Sequence, residues 1–205
     1  MELDLTARSG PHNYDLLTQT VTPRPIAWIL SENADGSLNL TPFSYFNIVA
    51  SRPALLSVSI GRRRDGTPKD TSANALAGRP FVIHLASQSL VDALNASAAP
   101  LAPGTSELTH LGLATVPLAG FPLPRLADAP VAYGCRLHQA VDLEAVPQTL
   151  LIAEALRAYV DDAVLTDTTT VLPSVDYARL DPLARLGRTA YAGLAKAFER
   201  DRPTG

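Results

Sequence analysis

Between residues 57 and 74 the chain sets small hydroxylated residues, a basic loop and a helix start side by side. Over residues 55–61, Leu56, Val58 and Ile60 alternate with Ser57, Ser59 and Gly61, so one strand face is apolar and the other small and polar. The next loop carries Arg62, Arg63, Arg64 and Lys69 and enters a helix expected over residues 71–76, with Asp70 as N-cap and Gly78 as terminator. Free amides at a helix start favour an anion, and Lys69 and the arginines add full charge; the chemistry of such a set is capture of a phosphate. Taken alone, the alternation reads more simply as serines facing water, and an isolated basic triplet as a solvated loop. Set next to one another, the phosphate site and the plain surface stand about level.

The elements that must position this set read mainly as strands. Residues 26–30 and 37–41 flank Asn33-Ala34-Asp35-Gly36, whose Asp-Gly step is a hairpin signal. Pro42 cannot donate to a ladder, which places the chain there on an edge or a bulge. Further strands are expected at residues 81–85, 131–137 and 150–159, and helices at residues 90–98 and, amphipathic, at residues 180–200, where Tyr191, Leu194, Ala195 and Phe198 recur at helical spacing. A Pro- and Ala-rich stretch covers residues 99–104. Many strands broken by turns, with a few helices, predict a mainly β fold, a closed or split antiparallel barrel with accessory helices, as one domain over residues 1–205.

Several function classes lose their support. There is no GxGxxG, so a Rossmann dinucleotide site is not expected, and no GxSxG elbow, P-loop or HExxH. His12, His84, His110 and His138 are scattered, and no metal site is expected. Cys135 is the only cysteine and reads as a small buried hydrophobe. A net charge of -3 gives no reason to expect nucleic acid or an anionic membrane as partner. No apolar run approaches a membrane-spanning length, and the N-terminus does not read as a signal peptide, so the expected location is the cytoplasm.

The ordered pieces Pro23-Arg24-Pro25-Ile26, Asn39-Leu40-Thr41-Pro42-Phe43-Ser44-Tyr45-Phe46-Asn47, Ser59-Ile60-Gly61, Lys69-Asp70-Thr71 with Asn74, and Asp181-Pro182-Leu183-Ala184-Arg185-Leu186-Gly187 followed by Tyr191 resemble the flavin reductase-like, FMN-binding split-barrel family. The resemblance spans nearly the whole chain. It implies a homodimeric split β-barrel that binds FMN near the subunit interface and passes reducing equivalents from NAD(P)H through FMN to free flavin or another small acceptor. It implies that Thr41, Pro42, Phe43 and Ser44 meet the flavin ring with Asn47 in support. Ser59, Gly61 and Arg62 then line the path to the phosphate, Lys69 and Thr71 hold the phosphate, and Arg188 and Tyr191 lie where the C-terminal segment reaches the flavin.

Two departures from the family pattern bear on activity. Tyr159 stands where relatives often carry a histidine near the flavin or nicotinamide, which makes it the candidate catalytic position, and Arg188 replaces a usual glycine. If these changes close the reactant side, the alternative is a flavin-binding carrier, sensor or electron-transfer protein without turnover.

Overall fold

The computed structural model describes the chain except residues 100–105, 144–145, 168, 170–173, 202 and 204–205, so most of the Pro- and Ala-rich stretch at 99–104 lies outside the described residues. Helix α1 (Gly10–Thr20) opens the chain and is followed by strands β1 (Arg24–Pro25), β2 (Ala27–Glu32), β3 (Leu38–Phe43), β4 (Phe46–Ser51) and β5 (Ala54–Gly61). Then come α2 (Asp70–Leu76), β6 (Phe81–Leu85), α3 (Val91–Ala96), α4 (Glu107–Leu111), the hairpin β7 (Thr115–Pro117) and β8 (Pro124–Leu126), and the long pair β9 (Val131–Leu143) and β10 (Gln148–Val160). A short helix α5 (Tyr177–Leu180) and strands β11 (Ala184–Arg185) and β12 (Tyr191–Ala192) complete it.

Seven strands form one antiparallel sheet in the order β3-β2-β6-β9-β10-β5-β4. The sheet curls until β3 meets β5, yet no ladder joins them, so the barrel stays split along that seam. Period-two alternation sends Ala27, Ile29, Phe43, Val58, Ile60, Phe81, Ile83, Leu151 and Ala153 inward to a closed apolar interior. The opposite face of the same strands presents Trp28, Leu30, Leu40, Val82 and Ala132 to an outer layer built from Leu94 of α3, Leu108 of α4 and Leu118, Leu123 and Leu126 around the small hairpin. Both faces of the central strands are therefore buried, and residues 27–30 are apolar without interruption for that reason.

Two features bear on the sequence-predicted residues. On β10 the register slips between Ala155 and Arg157, leaving Leu156 as an extra residue. Beyond that bulge the faces exchange: Ala155 packs inward, but Tyr159 lies beside Ala132 and packs on the outer layer. The C-terminal segment is the larger difference from expectation. Instead of a helix over residues 180–200, it makes α5, then β11 and β12, which pair with each other, β11 pairing also with β1. Gly187 lies so close to Gln19, and Gly193 so close to Gln88, that a side chain at either position would overlap its neighbour, so the segment is pressed flat as a strap. The helix expected at residues 90–98 also divides, into a 3-10 turn at Gln88–Leu90 and α3.

His84, fully buried on β6, ties the sheet to the outer layer. Its Nε2 accepts the Leu126 backbone N–H at 3.0 Å, so Nδ1 carries the ring proton and donates to the Trp28 carbonyl at 3.0 Å. Only the neutral ring satisfies both bonds, and burial pushes its pKa from 6.5 down to about 4. The unfolded chain thus takes up this proton first as the solution is acidified. The stability involved, on the order of 3 kcal/mol, is present above about pH 6.5 and is lost as pH falls through about 4. Denaturant titrations between pH 7.5 and 4.5 should show that loss in the native protein and a flatter profile in His84→Gln; parallel profiles would remove His84 from the account.

Candidate functional site

The inward rows of β2 and β3 turn polar at one end of the barrel. After Ala27 and Ile29 comes Ser31, fully buried, and opposite it on β3 stands Asn39. Helix α2 plugs this end with Thr71, Ser72 and Asn74, all buried. The plug is held by amide hydrogen bonds: Asn39 Nδ2 donates to Thr71 Oγ1 at 3.0 Å and Ser31 Oγ at 3.4 Å, and Asn74 Nδ2 donates to Ser31 Oγ at 3.0 Å and Asn33 Oδ1 at 2.9 Å. Arg79 closes the set by donating to Asn74 Oδ1 at 3.1 Å. A buried polar group without a partner costs about 1–3 kcal/mol, so this connected set fixes where α2 can sit.

Over that floor opens a cleft of about 1000 Å³. Lys69, Thr71 and Thr41 line it together with Arg63 and Arg64 of the basic loop, and Ser97 and Glu107 form the far wall. The Lys69 ammonium stands 5.7 Å from the centre of the Phe43 ring, whose other side packs in the barrel interior. Ser97 is fixed by the Trp28 indole N–H at 2.8 Å. The Glu107 carboxylate accepts the Leu40 backbone N–H at 2.9 Å, covering part of the free edge of β3. Pro42 does lie on that edge, since β3 pairs only with β2.

The sequence-predicted residues divide into three groups. Thr41, Lys69 and Thr71 converge on the cleft with Phe43 behind them. A second group follows the neighbouring strands outside the cleft lining. Ser44 Oγ accepts from Arg24 Nε at 3.4 Å, Asn47 caps the Ile48 amide on the exposed strand β4, and Ser59 Oγ bonds Gln148 Oε1 at 3.3 Å beside Gly61. Arg62 is engaged by Asp142 of β9 at 2.8 Å. The third group is on the strap: Arg188, in a left-handed conformation with φ 54°, grips Asp15 of α1 with two bonds of 3.0 Å, and the Tyr191 hydroxyl donates to Asn95. Tyr159 lies outside the cleft lining, with the Arg125 guanidinium 3.4 Å from its ring centre.

One local expectation is corrected. Lys69, not Asp70, occupies the N-cap of α2, and no side chain caps it; the Asp70 carboxylate is drawn to Arg63 at 2.6 Å, a stronger partner than a backbone amide. Sequence reasoning also passed over Ser31, Asn33, Arg79, Ser97 and Glu107. The available signal was the polar pair Ser31 and Asn39 at positions where the alternation of β2 and β3 calls for apolar residues.

Arg24 connects these parts. It is buried, and its guanidinium donates to the carbonyls of Thr18 (2.6 Å), Val21 (2.9 Å) and Leu186 (2.8 Å) besides Ser44.

With this geometry in view, the relatives are informative. The flavin reductase like domain matches residues 19–179, and the chain belongs to that family. A protein of Halalkalibacterium halodurans is 33% identical over 208 residues, covering 100% of this chain and 97% of its own length. The solved structure of nitrilotriacetate monooxygenase component B from Bacillus cereus superposes with a TM-score of 0.88 at 33% identity, covering 98% of both chains. Flavoredoxin of Desulfovibrio vulgaris shares the fold, with a TM-score of 0.76 at 19% identity over 98% of this chain and 97% of its own. The fold is the split barrel of this family, and membership gives the chain a flavin-related oxidoreductase role. No helix among the described residues is long and apolar enough to cross a membrane.

Two substitutions test the packing around the site. Arg24→Lys keeps the charge but loses the fork that reaches three carbonyls, and should cost about 2 kcal/mol or more in denaturant unfolding. Tyr159→His takes the aromatic face from beneath Arg125 and should lower the melting temperature by several degrees. An unchanged melting temperature in either variant would contradict the corresponding contact.

Proposed function

We propose that the chain is an FMN-dependent NAD(P)H oxidoreductase of flavin reductase type, handing reducing equivalents to free flavin or another small acceptor. The observation that carries this reading is the convergence of Lys69, Thr71 and Thr41 over the polar floor of Ser31, Asn39 and Asn74. The donor chemistry fits a phosphorylated flavin: an ammonium and hydroxyls for a terminal phosphate, and beside them an edge strand with free backbone groups at Pro42 for a flat heterocycle. Bound flavin supplies the electron-accepting centre. The chain's own work is then binding and orientation: Lys69 and Thr71 fix the phosphate, Asn39 holds the Thr71 hydroxyl in place, and Phe43 and Ser44 lead the strand out toward the ring. No side-chain acid or base is required for hydride delivery to a flavin, which agrees with a cleft whose polar groups are mostly engaged with one another. Relatedness to a monooxygenase component supports a role in supplying reduced flavin to a second protein.

The working unit we propose is a homodimer. Strand β4 is the edge of the large sheet opposite β3 and exposes Ile48 and Val49, and the preceding Tyr45 is also exposed. An apolar sheet edge of this kind calls for a covering partner.

Purified protein should be yellow, or take up FMN in preference to FAD, and oxidise NADH or NADPH when an acceptor is supplied. Lys69→Ala should weaken FMN by on the order of 1.5–3 kcal/mol while leaving riboflavin binding and the melting temperature nearly unchanged. Equal losses for the two flavins would move Lys69 away from the phosphate, and flavin binding without turnover would favour a carrier.

A further inference from the structure

The three consecutive arginines of the basic loop look alike in sequence and differ in the fold. Arg62 is taken by Asp142 at 2.8 Å and does not line the cleft. Arg63 is taken by Asp70 at 2.6 Å and by the Pro68 carbonyl at 2.8 Å. Arg64 lines the cleft, is exposed, and has no carboxylate or hydrogen-bond partner among the described residues.

Its backbone is held in a turn. The Gly66 N–H returns to the Arg63 carbonyl at 3.0 Å and the Arg63 N–H to Thr67 at 2.8 Å, so Arg64 sits in a tight turn that Gly66, at φ 83°, allows. Asp65 stiffens the turn by accepting both the amide and the hydroxyl of Thr67. Of the acids lining the cleft, Asp70 is paired with a cation, Arg63, while Asp35, Asp65 and Glu107 accept from the neutral donors Ser37, Thr67 and the Leu40 amide. Lys69 and Arg64 of the lining have no carboxylate partner among the described residues. Both are exposed, but Lys69 stands beside Phe43 and the buried Thr71, whereas Arg64 is carried on the Gly66 turn of the loop.

We propose that Arg64 is a specificity residue that reads a second phosphate, the 2′-phosphate of NADPH, as the reductant enters over the bound flavin. The inference rests on the flavin-oxidoreductase reading above. The end at Lys69, backed by the buried hydroxyls and amides of the floor, takes the resident phosphate, which has to stay; the loop end takes a visiting one, which has to leave, and a single exposed guanidinium suits a transient contact. Arg79, in the same lining and bonded to Asn74, is committed to the floor.

Two measurements test this. In stopped-flow reduction of the flavin-loaded protein, the native chain should favour NADPH over NADH in kcat/KM by about tenfold or more, the scale of one charged hydrogen bond to phosphate. Arg64→Ala should bring the ratio near one by loss on the NADPH side alone, and Arg64→Lys should restore part of it. Calorimetric titration with adenosine 2′,5′-bisphosphate and with adenosine 5′-monophosphate reads the same contact without turnover: the bisphosphate should bind more tightly to native protein, and Arg64→Ala should erase the difference. A native ratio near one, equal losses for both nucleotides, or a weakening of FMN relative to riboflavin with the ratio unchanged would overturn the assignment, the last by placing Arg64 on the resident phosphate. If neither nicotinamide reduces the protein while the bisphosphate still discriminates through Arg64, the oxidoreductase reading fails and the phosphate subsite stands.

Discussion

A single buried guanidinium holds the two ends of this chain to its barrel. Arg24 has no carboxylate partner among the described residues; its charge is balanced by carbonyls at the end of α1, at Val21 and at Leu186, and by the hydroxyl of Ser44. Burying a cation is costly unless nearly every donor is satisfied, so the fork can sit there only if α1, the strap and the segment after β3 arrive together. The small sheet β1-β11-β12 follows from the same requirement, because the strap that brings the Leu186 carbonyl to Arg24 also pairs Arg185 with Arg24 along the backbone. Loss of the fork would release the strap and the segment leading away from the cleft at once. Through that one side chain, the geometry around the site depends on residues at both ends of the sequence.

Much of the architecture was legible because local and tertiary demands agree. The β2–β3 hairpin announces itself through its Asp-Gly turn, β5 through clean alternation, and β6 through an apolar run that must be buried on both faces. Legibility failed where a distant contact overrode the local pattern. Residues 180–200 carry a helical spacing of Tyr191, Leu194 and Phe198, but Gly187 is wanted for close approach to the backbone of Gln19, and an extended strap meets that demand where a helix would not. The exchange of faces at Leu156 is hidden for a similar reason, since a bulge is one residue of register and leaves the composition of the strand unchanged.

The site divides in the same way. Lys69 and Thr71 were readable because a basic loop running into a helix is a local feature. The floor beneath them was not, because Ser31, Asn39 and Asn74 come from three separate elements, and each alone resembles an ordinary strand end or helix-face polar group. Nor could the sequence separate Arg62, Arg63 and Arg64. Their different fates depend on Asp142, far along the chain on β9, and on a helix start whose aspartate turned toward arginine instead of capping.

The lone cysteine has a practical consequence. Cys135 lies in the barrel interior with no exposed surface, and burial raises its thiol pKa to about 12, so essentially no thiolate is present or reachable while the sheet is closed. A thiol reagent can therefore act only on molecules in which the barrel interior has opened. With one reactive atom per chain, the labelling rate becomes a clock for opening of the barrel, read residue-specifically and without any engineered probe.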